Sequence, residues 1–439
     1  MGQLVVFALL AGIAVCALFR PWIGVVVSYL IIILTPQSVW WWHFADVRPV
    51  FWVMLPTIAG VIISYGKGSL NFNLLWNKRN FWMFVLWGCF ILSYFLGPYT
   101  KAISELRSFD PWWTLSLVNN IFILYFIACV CIDDEKKLKI IVGVLVCSTI
   151  YLIYWANDQY LFQGRFGRIG GPVGPLGGSI YHDENAFAML FVTGLPFLYY
   201  AGLSFRNKLY RYVLWLVIPF GWHAIFLTAS RGGLVGLAVT ILVMALLAKR
   251  NILRILLVPA FIFMFYWQAG SLMHDRAMTI SEYETDRSSA TRIEAWSTAI
   301  NMITNHPLSG VGIASFIPAF PDHSKFEPRE AHNTFFQITA ETGVFGGLAY
   351  VMILWLNLRD FRKNKNNLII HNQNALLGNQ CFLALINEAV QVSFIGIITC
   401  SLFLSLHVYE LFYFLCLLLN TISFLSISKS TSSTVNSIN

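Results

Sequence analysis

"SFRNKLYRYVLWLVIPFGWHAIFLTASRGGLVGLAVTILVMALLAKRNILR" runs from Ser204 to Arg254. Two apolar runs, 212–228 and 232–248, stand between basic ends and meet in a tight turn near 229–231. Apolar runs of about 17–25 residues span a bilayer as helices. The other structure able to span lipid is a closed β-barrel, whose strands alternate apolar and polar over about ten residues. These runs are continuous, so the stretch reads as a pair of membrane helices with both basic ends on one side.

The same unit repeats along the chain. Its 439 residues are 57% hydrophobic and 11% charged, with mean hydropathy +0.66. Apolar runs lie near 3–19, 22–35, 50–65, 81–97, 115–132, 140–156, 186–203, 212–228, 232–248, 253–270, 343–358, 379–398 and 401–427. The expected fold class is an all-α polytopic membrane protein with about 12 transmembrane helices, or thirteen if every run crosses by itself. The expected organisation is an N-terminal transmembrane bundle over 1–270 and a large outer loop over 271–342. C-terminal helices over 343–427 and a disordered polar tail over 428–439 follow. The first run lacks a basic leader and an A-x-A site, so it reads as a helix rather than a cleaved signal.

The formal charge of +8 is a topology signal rather than a nucleic-acid-binding face. Every second loop is short and basic: 66–80 with Lys67, Lys78 and Arg79, and 133–139 with Lys136, Lys137 and Lys139. The pattern continues in 204–211 with Arg206, Lys208 and Arg211, in 249–254 with Lys249, Arg250 and Arg254, and in 359–378 with Arg359, Arg362, Lys363 and Lys365. The positive-inside rule assigns these loops to the cytoplasm. The loops 36–49, 98–114, 157–185, 229–231 and 271–342 then face outward. The eight cysteines lie in or beside apolar segments without metal-ligand spacing and read as packing residues.

Four outward stretches carry polar chemistry. "GRFGRIGGPVGPLGGSIYHDENAFAML" is glycine-rich, with Arg165 and Arg168 at its start and Asp183, Glu184 and Asn185 near its end. It contains no Walker pattern. It reads either as a surface loop ending in a helix cap or as a phosphate-approaching loop. "TASRGGLVGLAV" places Arg231 at the outer end of a helix, where a charge requires water or a partner. "TDRSSATRIEAWSTAINMITNHPLSGVG" reads as an amphipathic helix with Ile293, Trp296, Ile300 and Ile303 on one face and Arg292 and Glu294 in its first turn. Its arginine is either a solvated charge or an anion contact beside free backbone N–H groups. Finally, "EPREAHNTFFQITAETGVFGG" (327–347) sets His332 just before a membrane helix, with Arg329 and Glu330 beside it. A histidine there can serve as general base, and Asn333 is a candidate helix cap.

In order, "SRGGLVG", "ATRIEAWSTAINMITNHPLSGVGIASF" and "AHNTFFQITAETGVFGGLAYV" resemble the O-antigen ligase and polymerase superfamily, over roughly residues 165–358. "RPWIGVVVSYLIIILTPQSVWW" and "GRIGGP" further resemble a branch of O-glycosylation ligases. The resemblance implies a GT-C-like membrane glycosyltransferase with an outward cavity, acting in the bacterial inner membrane with its site facing the periplasm. The implied donor is a glycan on undecaprenyl pyrophosphate. The implied acceptor is the lipid A–core sugar, with a protein or a growing glycan as alternatives. No cofactor, metal, nucleotide sugar or nucleic acid is implied. His332 is the expected catalytic residue. Arg231 and Arg292, with Arg165 and Arg168 behind them, are the expected pyrophosphate ligands, and Glu184, Glu388 and Arg329 the supporting residues. A transporter of lipid-linked glycan is the competing class, with Glu388, His407 and Glu410 as ionisable groups at membrane depth.

Overall fold

The computed structural model describes residues 2–44, 47–101, 110–174, 177–178, 180–248, 251–278, 287–373, 382–405 and 408–436. Lys249, Arg250, Cys381 and His407 lie outside them. The helices are α1 (Gly2–Phe19), α2 (Pro21–Leu34), α3 (Pro36–Val39), α4 (Trp41–Phe44), α5 (Pro49–Gly66), α6 (Lys78–Leu96), α7 (Pro111–Cys131), α8 (Glu135–Leu161) and α9 (Glu184–Ser204). They continue with α10 (Lys208–Leu227), α11 (Arg231–Leu247), α12 (Asn251–Gln268), α13 (Ser271–Met278), α14 (Arg287–Asn305), α15 (Phe316–His323), α16 (Thr334–Gln373), α17 (Phe382–Ser401) and α18 (Glu410–Asn436). Each of the thirteen apolar runs falls on a helix. Among the described residues, ten of these helices are long and apolar enough to cross a membrane, while Pro21–Leu34, Arg231–Leu247 and Ile255–Gln268 are apolar but shorter. The chain is a multi-pass membrane protein.

Two boundaries differ from the hydropathy reading. The last run starts as a helix at Glu410, and α18 continues to Asn436 through most of the polar tail. Helix α16 begins at Thr334, before the apolar run at 343, and is broken at Gly343, where φ is 78° and ψ 179°. The break frees carbonyls that a continuous helix would use, and an unpaired buried backbone group is costly. The outer segment 307–312 takes them up: Val311 N–H donates to Ala340 O at 2.9 Å and Gly312 N–H to Glu341 O at 3.1 Å. In return, Val344 N–H donates to Pro307 O at 2.9 Å. Gly310 and Gly312 adopt positive φ here, so "HPLSGVG" and "ETGVFGG" form one backbone junction.

Helix α9 is the central helix, buried along nearly its whole length. Small residues let its neighbours approach, as expected where backbones pack closely in membranes. A Cβ on Gly194 would lie 2.3 Å from Thr149 Oγ1 of α8, and one on Gly236 of α11 would lie 2.4 Å from Cys400 Sγ of α17. Three of the basic loops converge at one end of the bundle. There Arg79, 2% exposed, pairs with Asp360 and donates to Cys416 O at 3.3 Å, while Thr421 Oγ1 donates to Ile132 O at 2.9 Å.

A small second core lies at the other end. It joins Ala295, Ala299 and Met302 of α14 to Phe316, Ala319 and Phe320 of α15 and to Ala331 and Ala340. The packed face of α14 is therefore rotated from the expected one. Ile293 and Ile300 are exposed, because the alanine stripe allows a closer seat than isoleucines would. The helix also begins by Arg287, so Arg292 stands in its second turn and not beside the first free N–H groups.

Candidate active site

The turn ahead of α16 is held from several sides. His332 has φ +48°, a left-handed conformation that costs a non-glycine residue about 1–3 kcal/mol. Asn333 caps the helix as expected: its Oδ1 accepts from the N–H groups of Phe335 at 3.0 Å and Phe336 at 3.2 Å. Thr334 Oγ1 donates to Leu404 O at 2.7 Å. On the near side, Ala331 N–H donates to Gln337 Oε1 at 3.2 Å, and Gln337 Nε2 donates to Glu341 Oε1 at 2.6 Å. Ala331 O accepts from Trp296 Nε1 at 3.0 Å. With His332 flanked by these bonds, its backbone has little freedom to relax.

Cations gather behind it. The Arg292 guanidinium lies over the Phe403 ring, 5.6 Å from its centroid. The same side chain packs against Gly232, where an added Cβ would lie 3.2 Å from Phe403 Cβ and 3.7 Å from its ring, beside Arg231 at the start of α11. Ser230 caps that helix through Gly233 N–H at 3.1 Å, and its hydroxyl donates to Asn185 Oδ1 at 2.8 Å. Thus Arg231, Phe403, Arg292 and His332 form one neighbourhood assembled from α11, the segment after α17, α14 and the turn before α16.

The remaining expected residues lie around this group or apart from it. Arg168 donates to Thr228 O at 3.1 Å and to Asn185 Oδ1 at 3.4 Å, and pairs with Glu184 at 3.4 Å. It ties the glycine-rich loop to the corner before α11. Two glycines of that loop meet the chain's own backbone: a Cβ on Gly170 would lie 2.2 Å from His182 O and one on Gly171 2.7 Å from Tyr181 O. Val173–Gly174 (β1) pairs antiparallel with Gly177–Gly178 (β2). Arg165 is exposed at the loop's edge. Arg329 pairs with Glu294 at 3.7 Å. Glu388 is not brought to His332. It lies in the half of α17 nearer Phe382, close enough to Tyr200 on α9 to interact with it electrostatically.

In front of His332 opens a cavity of about 610 Å³ between α2, α5, α7 and the start of α18. Its walls are largely apolar, while Asp183, Asn185, Glu330 and His332 stand among its lining and Glu410 joins them from α18. Burial, and then the Asp183 carboxylate, push Glu330 up to about 7. His332 is moved the other way. Burial first, then the charge of Arg292, lower its pKa below the ordinary 6.5, with Asp183 opposing and Arg329 adding to the shift. The imidazole is therefore mostly neutral near pH 7, with a lone pair available to take a proton. Asp183 and Glu330 were legible in the sequence only as a helix cap and as a neighbour of His332. Phe403 carried no signal. A second cavity, of about 640 Å³, opens around Arg79 and Asp360 at the basic end and holds none of the expected site residues. Among the described residues, no group of three or more His, Cys, Asp or Glu side chains could hold a metal ion.

Comparison with known proteins agrees with the motif resemblance. Residues 213–351 match the family model described as O-antigen ligase, a span that contains Arg231, Arg292, Arg329 and His332. A protein of Rickettsia felis named "Putative polysaccharide ligase" is 23% identical over 333 residues, covering 69% of this chain and 72% of that protein. The chain is thus similar to O-antigen ligases over residues 213–351, which carry Arg231, Arg292 and His332, and to a protein named as a polysaccharide ligase over most of its length.

Proposed function

We propose that the chain is a membrane glycosyltransferase of the O-antigen ligase kind. It transfers a glycan from undecaprenyl pyrophosphate to a hydroxyl of an acceptor, the lipid A–core sugar of lipopolysaccharide. The observation that carries this reading is His332, an imidazole held mostly neutral in a fixed turn, with Arg292 near it and a cavity in front.

The acceptor O–H gives its proton to His332, and the acceptor oxygen bonds to the anomeric carbon of the glycan. The bond from that carbon to the pyrophosphate oxygen breaks, and its electron pair leaves on the phosphate. Arg231 and Arg292 bind the departing pyrophosphate, for which the planar guanidinium fork is suited. Fixed positive charge where negative charge develops is a principal source of rate enhancement. The arginines supply it, so activity should persist in EDTA. Arg168 and Arg165 stand at the margin of the donor side, while Glu184 and Arg329 act by orienting their partners. Glu388, which lies apart from His332 on α17, takes no part in this step. The site faces the periplasm from the bacterial inner membrane, a reading supported by the basic loops at the opposite end of the bundle.

The test is transfer by the purified protein in vesicles without an ion gradient, supplied with glycan on undecaprenyl pyrophosphate and with lipid A–core. Formation of a new glycosidic bond on the core is expected. Movement of carrier-linked glycan across the bilayer with no new bond would instead make the chain a transporter. Growth of glycan on the carrier would make it a polymerase, and transfer to a protein an O-glycosylation ligase. Periplasmic-side labelling of a cysteine replacing Ser324, but not one replacing Lys365, checks the sidedness.

A further inference from the structure

The cavity of about 640 Å³ at the basic end of the bundle lies far from the chemistry proposed for His332. Its size falls among small-molecule sites, roughly 300–1,000 Å³. Three stretches wall it: 73–79 leading into α6, 359–364 of α16 and 420–427 of α18. Side-chain amides tie these walls together. Asn77 Nδ2 donates to Asn420 Oδ1 at 2.8 Å, Asn420 Nδ2 to Leu74 O at 3.2 Å, and Asn364 Nδ2 to Ser423 Oγ at 3.0 Å.

The charge around it is one-sided. Lys78, Arg79, Arg359 and Lys363 line the cavity against one acid, Asp360, among the described residues. Both oxygens of that carboxylate are already taken, Oδ2 by Arg79 and Oδ1 by Arg359 at 2.8 Å. Lys78 and Lys363 are exposed and form no ion pair among the described residues. Sidedness in the membrane does not by itself require this surplus, because a neighbouring basic loop is built differently. In 133–139, Lys137 pairs with Asp133, and Lys139 pairs with Glu135 at 2.8 Å. Position sharpens the contrast. Lys78 and Arg79 open α6, whose first turn holds no acid. A helix N-terminus carries partial positive charge and disfavours cations. An anion in the cavity would relieve that repulsion.

The rim indicates where such an anion comes from. Trp76 is 84% exposed, and Phe424 and Ile427 stand with it in the lining, at the end of the apolar span of α18. Exposed indoles at the ends of membrane helices belong at the headgroup level, and the apolar side chains beside this one suit the upper part of acyl chains. A soluble phosphate would use the cations and leave these side chains without a role.

We infer that this cavity binds the headgroup of an anionic glycerophospholipid from the leaflet at the basic end. Its phosphate is taken by Lys78, Lys363 and Arg359, and its chains pass Trp76 and Ile427. A basic pocket between membrane helices is a recurrent form of headgroup site. The lipid clasps α6, α16 and α18 at the end of the bundle opposite His332, so the inference is independent of the transferase reading.

The experiment uses the full chain, purified in a neutral maltoside detergent and freed of lipid. It is titrated with phosphatidylglycerol, phosphatidylcholine and glycerol 3-phosphate, with bound molecules counted by native mass spectrometry and the thermal midpoint followed in parallel. Phosphatidylglycerol should bind at least about tenfold more tightly than either of the others, and should raise the midpoint as a ligand of the folded state does. The double variant Lys78→Gln/Lys363→Gln should lose at least about tenfold in phosphatidylglycerol affinity and keep its phosphatidylcholine affinity. Its lipid-free midpoint should not fall, since both lysines are exposed and one opposes the helix end. Lys78→Arg/Lys363→Arg should bind as the wild type does. Lys67→Gln/Lys208→Gln removes the same charge outside the lining and should leave phosphatidylglycerol affinity within about twofold. Equal binding of the two lipids, undiminished binding in the first double variant, or an equal loss in the control overturns the inference. Glycerol 3-phosphate binding as tightly as phosphatidylglycerol would overturn the lipid assignment and leave a site for a soluble phosphate.

Discussion

The indole N–H of Trp296 donates a 3.0 Å hydrogen bond to the carbonyl of Ala331, one residue before His332. The outer helix α14 thus fixes the backbone from which the proposed base projects. Trp296 also stacks on Phe336, with ring centroids 5.7 Å apart. Trp296→Phe should keep the stacking and lose the hydrogen bond. A fall of roughly threefold to tenfold in kcat is expected, matching about 0.5–1.5 kcal/mol for one hydrogen bond, with carrier KM unchanged. An unaltered kcat would mean that α14 does not position His332.

Removing the base should be far more costly. His332→Ala is expected to lower kcat by about 10²–10⁴ while carrier binding, measured by equilibrium dialysis, is retained. His332→Gln separates proton transfer from orientation, since substantial activity in it would leave only orientation. The wild-type acid limb of the rate profile should fall below the ordinary histidine value, because burial and Arg292 lower the His332 pKa. Arg292→Gln removes a positive neighbour, so any residual activity should show that limb at higher pH.

The arginines are tested with their charge conserved. Arg231→Lys and Arg292→Lys keep a cation but lose the fork that grips two phosphate oxygens. Each should reduce kcat/KM for the carrier substrate by at least about tenfold, with the protein still inserted and monodisperse. Near-normal kinetics in both variants would remove the pyrophosphate from this neighbourhood.

The helices were legible because lipid demands long apolar runs, and all thirteen runs fall on helices. What hydropathy missed is the outer half of α16. "TFFQITAETG" reads as polar, yet its threonines turn their hydroxyls back to the chain: Thr339 donates to Phe335 O at 2.7 Å and Thr342 to Ile338 O at 2.6 Å. Motifs alone singled out His332, Arg231 and Arg292 as the residues proposed for the chemistry. The meeting of Glu330 and Asp183 in the cavity lining was not legible, because it arises from packing between segments far apart in sequence, and no local pattern encodes burial of that kind. For the same reason the sequence could suggest Glu388, whose place on α17 only the packing reveals.

Glu330 should make stability depend on pH. Its carboxyl titrates at about 7 in the folded chain, above its ordinary 4.5. The folded state therefore holds this proton more tightly than the unfolded one. No penalty applies below about 4.5, and it grows as pH rises towards 7. Glu330→Gln should raise the thermal midpoint at pH 8 by a few degrees and leave it nearly unchanged at pH 4.5. An equal shift at both pH values would show that the substitution acts through packing instead.

Gly343 tests the junction in α16. At φ 78° a side chain is strained, and its Cβ would lie 2.5 Å from Leu308 O. Gly343→Ala should cost at least about 1–3 kcal/mol, seen as a lower midpoint and faster proteolysis of the outer segment. Gly12→Ala in α1, where a Cβ meets nothing within 4 Å, should be neutral or slightly stabilising.

A membrane helix that crosses in one unbroken piece can slide along its axis like a piston and carry a signal from one face to the other. The junction between 307–312 and the break at Gly343 denies α16 that freedom. The bonds from Val311, Gly312 and Val344 act as a detent at one axial position, and a shift of one residue would break all three together. An axial shift of α16 would have to break these bonds before the turn that carries His332 could rise or fall over the bundle.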